Sequence, residues 1–206
     1  MSIDTIFFVL ILIMSVVIHE VAHGYMALFL GDQTAKLAGR LTLNPIPHID
    51  PLGSIILPLL LSLLPGGLIF GWAKPVPFNP YNLRAGNWGP ALVAAAGPAS
   101  NLFIAVIFGL IIQNSLVLGL SPAVISISGS VVMMNIVLAL FNLIPVPPLD
   151  GSKILFAILP YKWRYIENLL ASNQILIILV VLFGASALIS PLVSVLFKLL
   201  TGGLLG

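Results

Sequence analysis

The chain has 206 residues, of which 60% are hydrophobic and 7% charged, and its mean hydropathy is +1.18. Soluble domains carry about 25% charged residues, so this composition excludes an ordinary soluble protein and predicts a polytopic membrane protein. The formal net charge of +2 comes from few groups and does not indicate nucleic-acid binding. Because the chain contains no cysteine, disulfides and thiolate metal sites are also excluded.

Four stretches are long and apolar enough to cross a bilayer as helices, which takes about 20 residues. They are residues 3–30, 88–113, 123–146 and 174–198. A fifth stretch, 51–72, contains Pro58, Pro65 and the pair Gly66-Gly67, which would break a straight helix. The sequence therefore predicts an all-α membrane protein in which 51–72 is either a re-entrant segment or a fifth span.

The positions of the basic residues favour the re-entrant alternative, because cytoplasmic loops carry an excess of Lys and Arg. If 51–72 returns to the side on which it starts and the N-terminus is outside, seven of the eight basic residues lie inside and only Lys198 lies outside. If 51–72 spans fully, the better orientation divides these residues five to three. We therefore expect a multi-pass protein with about four full spans and its N-terminus outside.

The first predicted span contains the pentapeptide HEVAH, residues 19–23. Ionisable groups are costly in a bilayer and by default mark function. On a helix, His19 and His23 lie one turn apart on the same face, so both imidazoles can reach one metal ion. Glu20 is rotated aside, where its carboxylate can address a water on that ion. The alternative is that the histidines only form interhelical hydrogen bonds.

A catalytic zinc site usually has three protein ligands and an open position. The acidic candidates for the third ligand are Asp4, Asp32, Asp50, Asp150 and Glu167. Asp150 is favoured because it follows a span and three prolines, which end the helix and let the chain turn back towards a neighbouring helix. If 51–72 is re-entrant, His19 and Asp150 also lie on the same side. A surface Asp150 that caps a helix starting at Ser152 is the alternative.

These residues resemble the site-2 protease family of intramembrane zinc metalloproteases. The resemblance rests on HExxH in the first helix and on FNLIPVPPLDG (141–151), which is similar to the family's second motif. GPASN (97–101) also matches a family pattern, and GRLTLNPIPHIDPLGS and GWAKPVPFNP resemble a compact bacterial and archaeal subgroup. Together these motifs cover most of the chain, which we interpret as one integral-membrane domain, residues 1–206.

The resemblance implies a zinc-dependent endopeptidase that cleaves membrane-embedded or juxtamembrane peptides near the cytoplasmic side of a prokaryotic cell membrane. It implies that His19, His23 and Asp150 bind one Zn²⁺ and that Glu20 is the general base. Asn142 matches a family asparagine that helps to hold the substrate or the developing oxyanion, and interhelical hydrogen bonding is its alternative role. We expect no PDZ or CBS domain, so gating is expected from the membrane core or from a regulatory membrane protein.

A helical substrate has to unwind before it is cut, and residues 36–44 are a candidate receptor for its extended form. Leu37, Leu41 and Leu43 alternate with polar residues at the period of a short β-element, which would bind substrate by β-addition. A simple interfacial hairpin is the alternative. The candidates for substrate binding are Asn101, Arg40, Leu41 and Thr42, and a structural role is the alternative for Asn101. His48 is a candidate gate or a second-layer support for the metal ligands, and a solvated or hydrogen-bonded loop histidine is the alternative.

Three other functions fit parts of the sequence. A prenyl-protein type HExxH protease would use a glutamate as its third ligand, and Glu167 is the candidate. A zinc transporter or metal sensor would need ionisable groups on a path to the outer face, where the spans 88–113 and 123–146 offer only amides. The third is a catalytically silent scaffold. The expected partners are a peptide or membrane-protein substrate and the lipid bilayer, with no nucleic acid.

Overall fold

The computed structural model describes residues 3–62, 71–160 and 163–205, and within these ranges it contains α-helices and no strand. The helices are α1 (Ile3–Phe29), α2 (Thr34–Leu37), α3 (Leu57–Ser62), α4 (Gly89–Gln113), α5 (Pro122–Asn142), α6 (Asp150–Ile158), α7 (Arg164–Ser172) and α8 (Gln174–Thr201). A single π-helical stretch, Pro51–Ile56, leads into α3, and short 3₁₀ turns lie in the connections. The predicted all-α class is confirmed.

Three stretches are long and apolar enough to cross a membrane, and each coincides with a predicted span. They are Ile6–Phe29, Gly86–Gln113 and Pro122–Asn142. The fourth predicted span, 174–198, falls within α8, a helix of 28 residues. At 1.5 Å per residue α8 is about 42 Å long, although many side chains in its first half lie outside the described part of the chain.

Helix α4 contacts α1, α5, α6 and α8 and so forms the centre of the bundle. The backbone N–H of Arg84, just before α4, donates to the carbonyl of Leu30, just after α1, at 2.8 Å. At the other end of α4, the Gln113 amide donates to the Leu200 carbonyl of α8 at 2.8 Å. We call the end where α1 ends and α4 begins the proximal end, and the end where α4 and α8 finish the distal end. Helix α5 runs from the distal to the proximal end.

The described ends of the 51–72 segment lie against each other. The backbone N–H of Trp72 donates to the Gly53 carbonyl at 3.2 Å, and the Ser54 hydroxyl donates to the Trp72 carbonyl at 2.8 Å. A chain segment with its two ends hydrogen-bonded returns to the side from which it started, which agrees with the re-entrant prediction rather than with a fifth span. The helix-breaking residues at 65–67 lie outside the described ranges.

The predicted β-element at 36–44 is wrong. This stretch begins with the end of α2 and continues as irregular chain, and its side chains do not alternate as in a strand, since the successive residues 36–39 are all exposed before the buried Arg40. The reason lies just upstream, where the carboxylate of Asp32 accepts hydrogen bonds from the backbone N–H and the hydroxyl of Thr34 at 3.2 and 2.6 Å. Such a side-chain turn directs the chain into a helical turn.

Candidate metal centre

Three electron-rich atoms converge at the proximal end of the bundle. The Nε2 atoms of His19 and His23 are 3.0 Å apart, and each lies 3.1 Å from Oδ2 of Asp150. All three residues are buried. Zinc bonds of about 2.0–2.1 Å in a tetrahedron place neighbouring ligand atoms about 3.3 Å apart. The observed triangle is therefore close to the size that a zinc ion requires.

The sequence positions these three residues in two different ways. His19 and His23 share one face of α1 because they are one helical turn apart. Asp150 is the first residue of α6, which the chain reaches directly after the prolines that follow α5. The next residue has to be glycine, because a Cβ at Gly151 would collide with the carbonyl oxygen of Leu143. The tight turn-back that brings Asp150 to α1 thus depends on the glycine of the LDG motif.

Hydrogen bonds on the outer side of each imidazole leave Nε2 available to a cation. Nδ1 of His19 lies 2.6 Å from Oδ1 of Asn101, and Nδ1 of His23 lies 2.7 Å from the Val93 carbonyl. Carbonyl oxygens only accept hydrogen bonds, so Nδ1 carries the proton and the Nε2 lone pair faces the centre. Two such lone pairs and a carboxylate oxygen at 3.0–3.1 Å repel one another unless a cation lies among them. Two imidazoles and one carboxylate also form a known catalytic zinc ligand set.

A buried polar network holds the Asn101 side chain behind His19. The amide nitrogen of Asn101 donates to Oδ1 of Asn135 at 2.8 Å and to the carbonyl of Ser15 at 3.3 Å, and Asn135 donates to the Ser15 hydroxyl at 3.0 Å. Both asparagines are 0% exposed. The network ties α1, α4 and α5 together and fixes the orientation of the His19 ring. Sequence reasoning gave no role to Ser15.

Close packing of α4 against the two imidazoles depends on Gly97. A Cβ at this position would lie 2.5 Å from Nε2 of His23 and 2.6 Å from Cε1 of His19. These distances are shorter than van der Waals contact, so a larger residue would displace the rings. This explains physically why the GPASN stretch has a glycine at its first position.

Glu20 and Asn142 share a cavity of about 250 Å³ with His19. Oε2 of Glu20 accepts the backbone N–H of Val76 at 2.9 Å, and Asn142 donates one amide hydrogen to the Leu138 carbonyl of its own helix at 2.9 Å. The rest of the wall is mostly apolar. It includes Val16, Trp72, Phe141, Pro148 and Val181. The two predicted catalytic side chains and one predicted metal ligand therefore face the same space.

Comparison with known proteins agrees with this geometry. Residues 119–183 match peptidase family M50. The protein named "Putative zinc metalloprotease YwhC" of Bacillus subtilis is 41% identical over 160 residues, which cover 75% of this chain and 69% of that protein. The chain belongs to peptidase family M50. M50 is the site-2 protease family, so the predicted family is confirmed.

Two more distant relatives of this M50 protein carry similar names. "Putative zinc metalloprotease Rip2" of Mycolicibacterium smegmatis is 33% identical over 148 residues, 68% of this chain and 52% of that protein. "Zinc metalloprotease MJ0392" of Methanocaldococcus jannaschii is 27% identical over 180 residues, 85% of this chain and 42% of that protein. The M50 chain thus spans about half the length of these two relatives. No solved structure matches it.

The remaining predicted site residues of the M50 protein lie away from the three candidate metal ligands. Arg40 and His48 are buried beside each other, with Nη2 of Arg40 3.5 Å from Nδ1 of His48. Nε2 of His48 lies 3.0 Å from the carbonyl of Thr42. Leu41 packs against α1, where a Cβ at Gly24 would lie 2.5 Å from its Cδ2 atom. None of the contacts described for these four residues reaches the three candidate metal ligands.

The acidic residues that competed with Asp150 have other surroundings. Asp32 accepts the backbone N–H of Asn79 at 2.7 Å, and Asp50 accepts the backbone N–H of Gly53 at 2.7 Å. Neither belongs to the metal-ligand group found among the described residues. The side chain of Glu167 lies outside the described part of the chain, so its rival ligand role is left to experiment.

Proposed function

We propose that the protein is a zinc-dependent intramembrane endopeptidase with His19, His23 and Asp150 as metal ligands and Glu20 as general base. The convergence of the two Nε2 atoms and the Asp150 carboxylate at 3.0–3.1 Å carries this proposal. Bound zinc would supply a Lewis acid that lowers the pKa of a water and polarises a peptide carbonyl. Membership of the M50 family supports the same chemistry.

Glu20 is suited to moving the proton. Its Oε2 atom is held by the Val76 N–H, and its carboxylate borders the cavity next to His19. We propose that the other oxygen, Oε1, takes a proton from a water in the cavity and passes it to the leaving amine. A carboxylate fixed at one oxygen offers the other in a constant direction, which favours proton transfer.

Asn142 is suited to binding the oxyanion. Its amide nitrogen has two hydrogens, and the Leu138 carbonyl accepts one of them. The other hydrogen is available to a carbonyl oxygen of a peptide in the cavity. A donor that is already oriented stabilises the charge that develops during hydrolysis.

The surroundings of the site support a membrane-embedded or juxtamembrane peptide as substrate. The metal ligands His19 and His23 lie on a helix long and apolar enough to cross a membrane, and the cavity wall is mostly apolar. The distribution of basic residues favours a multi-pass protein of the cell membrane with its N-terminus outside and this site towards the cytoplasm. Control by a regulatory membrane protein is part of the same proposal.

Zinc content and cleavage test the proposal together. The measurement is zinc per chain in detergent-purified protein, for wild type, Asp150→Ala, Glu20→Gln and Glu167→Gln. We expect about one zinc per chain in wild type, a loss in Asp150→Ala, and retention in the other two variants. Single-span peptides reconstituted with each variant in lipid vesicles, with products identified by mass spectrometry, should be cut by wild type and Glu167→Gln but not by Glu20→Gln.

Two results would contradict the proposal. Zinc that persists in Asp150→Ala but is lost in Glu167→Gln would show that the third ligand is the glutamate. Cleavage at the wild-type rate by Glu20→Gln would exclude Glu20 as the general base.

A further inference from the structure

Two charged side chains form hydrogen bonds with the backbone of the irregular 71–79 segment. Nη2 of Arg40 donates to the carbonyl of Lys74 at 2.6 Å. Two residues further on, the backbone N–H of Val76 donates to Oε2 of Glu20 at 2.9 Å. The short stretch of chain between these bonds therefore connects Arg40 with the proposed general base.

Arg40 is in an unusual environment for a cation. It is 6% exposed, its Nε atom is buried without a hydrogen-bond partner, and among the described residues no carboxylate forms a salt bridge with it. Among the described residues, its polar contact besides the Lys74 carbonyl is the 3.5 Å approach to Nδ1 of His48. Burial of a guanidinium without a counter-charge is unfavourable. Residues that lower stability in this way are expected at functional sites. The contact that Arg40 makes at this cost is the short hydrogen bond to the Lys74 carbonyl.

The 71–79 segment is anchored at its ends, where Trp72 is hydrogen-bonded to Gly53 and Ser54 and the Asn79 N–H donates to Asp32, but its middle has few main-chain hydrogen bonds. Pro75 and Pro77 flank Val76 and have no N–H to donate, and the segment is not part of a sheet. The backbone N–H of Lys74 donates to the carbonyl of His48 at 2.9 Å. Both main-chain polar groups of Lys74 are thus fixed by the Arg40–His48 pair. The position of the Val76 N–H follows, because the prolines stiffen the intervening chain.

We propose that Arg40 is a positioning residue for Glu20. By holding the Lys74 carbonyl, Arg40 keeps the Val76 N–H on Oε2 of Glu20, so that Oε1 is presented to the cavity. Arg40 itself does not line the cavity and contacts none of the three metal ligands. This inference rests on the proposed role of Glu20 as general base.

Amide hydrogen exchange tests the physical link independently of activity. Residues 74–77 contain only the amide protons of Lys74 and Val76, because both prolines lack one. In the full chain in detergent, Arg40→Met should raise the exchange rate of this stretch by about tenfold, while exchange in α1 stays unchanged. The matched control is Arg84→Met, which replaces an exposed arginine just after the segment and should leave exchange at 74–77 as in wild type.

Measurement of kcat and KM then distinguishes a positioning role of Arg40 from a purely structural role. With the vesicle-reconstituted single-span peptides as probe, Arg40→Met should lower kcat by about tenfold with KM and zinc per chain unchanged. Arg40→Lys retains a donor to the Lys74 carbonyl and should recover most of kcat. If Arg40→Met does not fold, Arg40→Lys carries the test, because its shorter reach should still give a measurable rise in exchange together with a smaller fall in kcat.

The outcomes distinguish this inference from the proposed function. Unchanged exchange at 74–77 in Arg40→Met would overturn the inference whatever the activity. Raised exchange with unchanged kcat would reduce Arg40 to a structural residue. Wild-type protein that does not cleave, or Glu20→Gln that cleaves normally, would overturn the proposed function instead and with it the catalytic purpose of the link.

Discussion

Helices α4 and α5 pack against each other along most of their length, but their contacts differ between the two halves of the bundle. In the proximal half, Asn101 and Asn135 are fully buried and hydrogen-bonded to each other at 2.8 Å. In the distal half, the same helices meet through the apolar side chains of Ala105, Ile112 and Val132. One pair of helices thus combines a polar and an apolar interface.

The difference shows that one half of the interface orients polar side chains, whereas the other half holds the two helices together. Between helices in a bilayer the hydrophobic effect gives little driving force, so the distal half is held by close packing, which tolerates small rotations. A hydrogen-bonded network has a single good arrangement when all its members are satisfied. In this protein that arrangement includes His19, so the polar half orients one of the three proposed metal ligands. Changes in the proximal half should affect zinc, and changes in the distal half should affect stability.

A pair of glycine substitutions should give the largest effect. Gly97→Ala introduces a Cβ 2.5 Å from the His23 ring, so we expect loss of most bound zinc and a fall in cleavage of about 100-fold or more. Gly109→Ala introduces a Cβ 2.6 Å from the Leu200 carbonyl oxygen in the distal half. It should lower the thermal unfolding temperature while the folded fraction retains its zinc. Equal zinc loss in both variants would show that the two halves are not separable.

Removal of the support behind His19 should have the next largest effect. Asn101→Leu keeps the side-chain size but leaves Nδ1 of His19 without its acceptor at 2.6 Å, so zinc affinity should fall by about 10- to 100-fold. Competition with a zinc chelator measures this change.

The distal control for that experiment is Ile112→Ala, at a fully buried position of the apolar cluster. It should destabilise the fold by about 2–5 kcal/mol with zinc affinity unchanged. If Asn101→Leu bound zinc as tightly as wild type, the polar network would have no influence on the ligands.

The loop at the proximal end should show a moderate dependence on pH through Asp32. Burial opposes ionisation of Asp32, but hydrogen bonds from Thr34, Asn82 and Asn79 outweigh it and hold the pKa of this carboxyl below its usual value of 3.8. A group with a lowered folded pKa stabilises the fold above its unfolded pKa, and this contribution is lost as the pH falls through the folded pKa. When the unfolding temperature is measured from pH 6 downwards, it should therefore begin to decrease once the pH is below about 4.

The control for this pH dependence is Asp32→Asn, which should be less stable than wild type by about 1–2 kcal/mol at neutral pH. The stability difference between the two proteins should shrink as the pH falls below about 4. A difference that stayed constant with pH would show that Asp32 acts through shape and not through charge.

The smallest effect is expected at the exposed distal end. The Gln113 amide donates to the carbonyls of Leu199 and Leu200 at 3.3 and 2.8 Å. Gln113→Ala should lower stability by only about 0.6 kcal/mol, the average for such interhelical bonds, and should leave zinc content unchanged. A large zinc loss from this substitution would contradict the division into two halves.

The sequence by itself determined the features that depend on near neighbours. The spans follow from continuous apolar runs, and the pairing of His19 with His23 follows from the helical repeat. The LDG motif and the positions of the basic residues also predicted that Asp150 approaches the histidines. A re-entrant 51–72 segment puts His19 and Asp150 at the same end of the bundle. The short strand predicted at 36–44 failed because alternation over so few residues was outweighed by the hydrogen bonds of Asp32.

Only the tertiary structure decided which distant groups meet at the site. Asn101 reaches His19 from 82 positions away, and Val76 reaches Glu20 from 56 positions away. A motif gives the type of such a residue but not its partner, because the partner depends on how helices and loops pack. For the same reason Arg40 resembled a surface residue of a strand in the sequence and is a buried anchor in the fold. Local periodicity can be read from neighbouring residues in the sequence, whereas the hydrogen-bond partners of buried polar groups depend on tertiary packing.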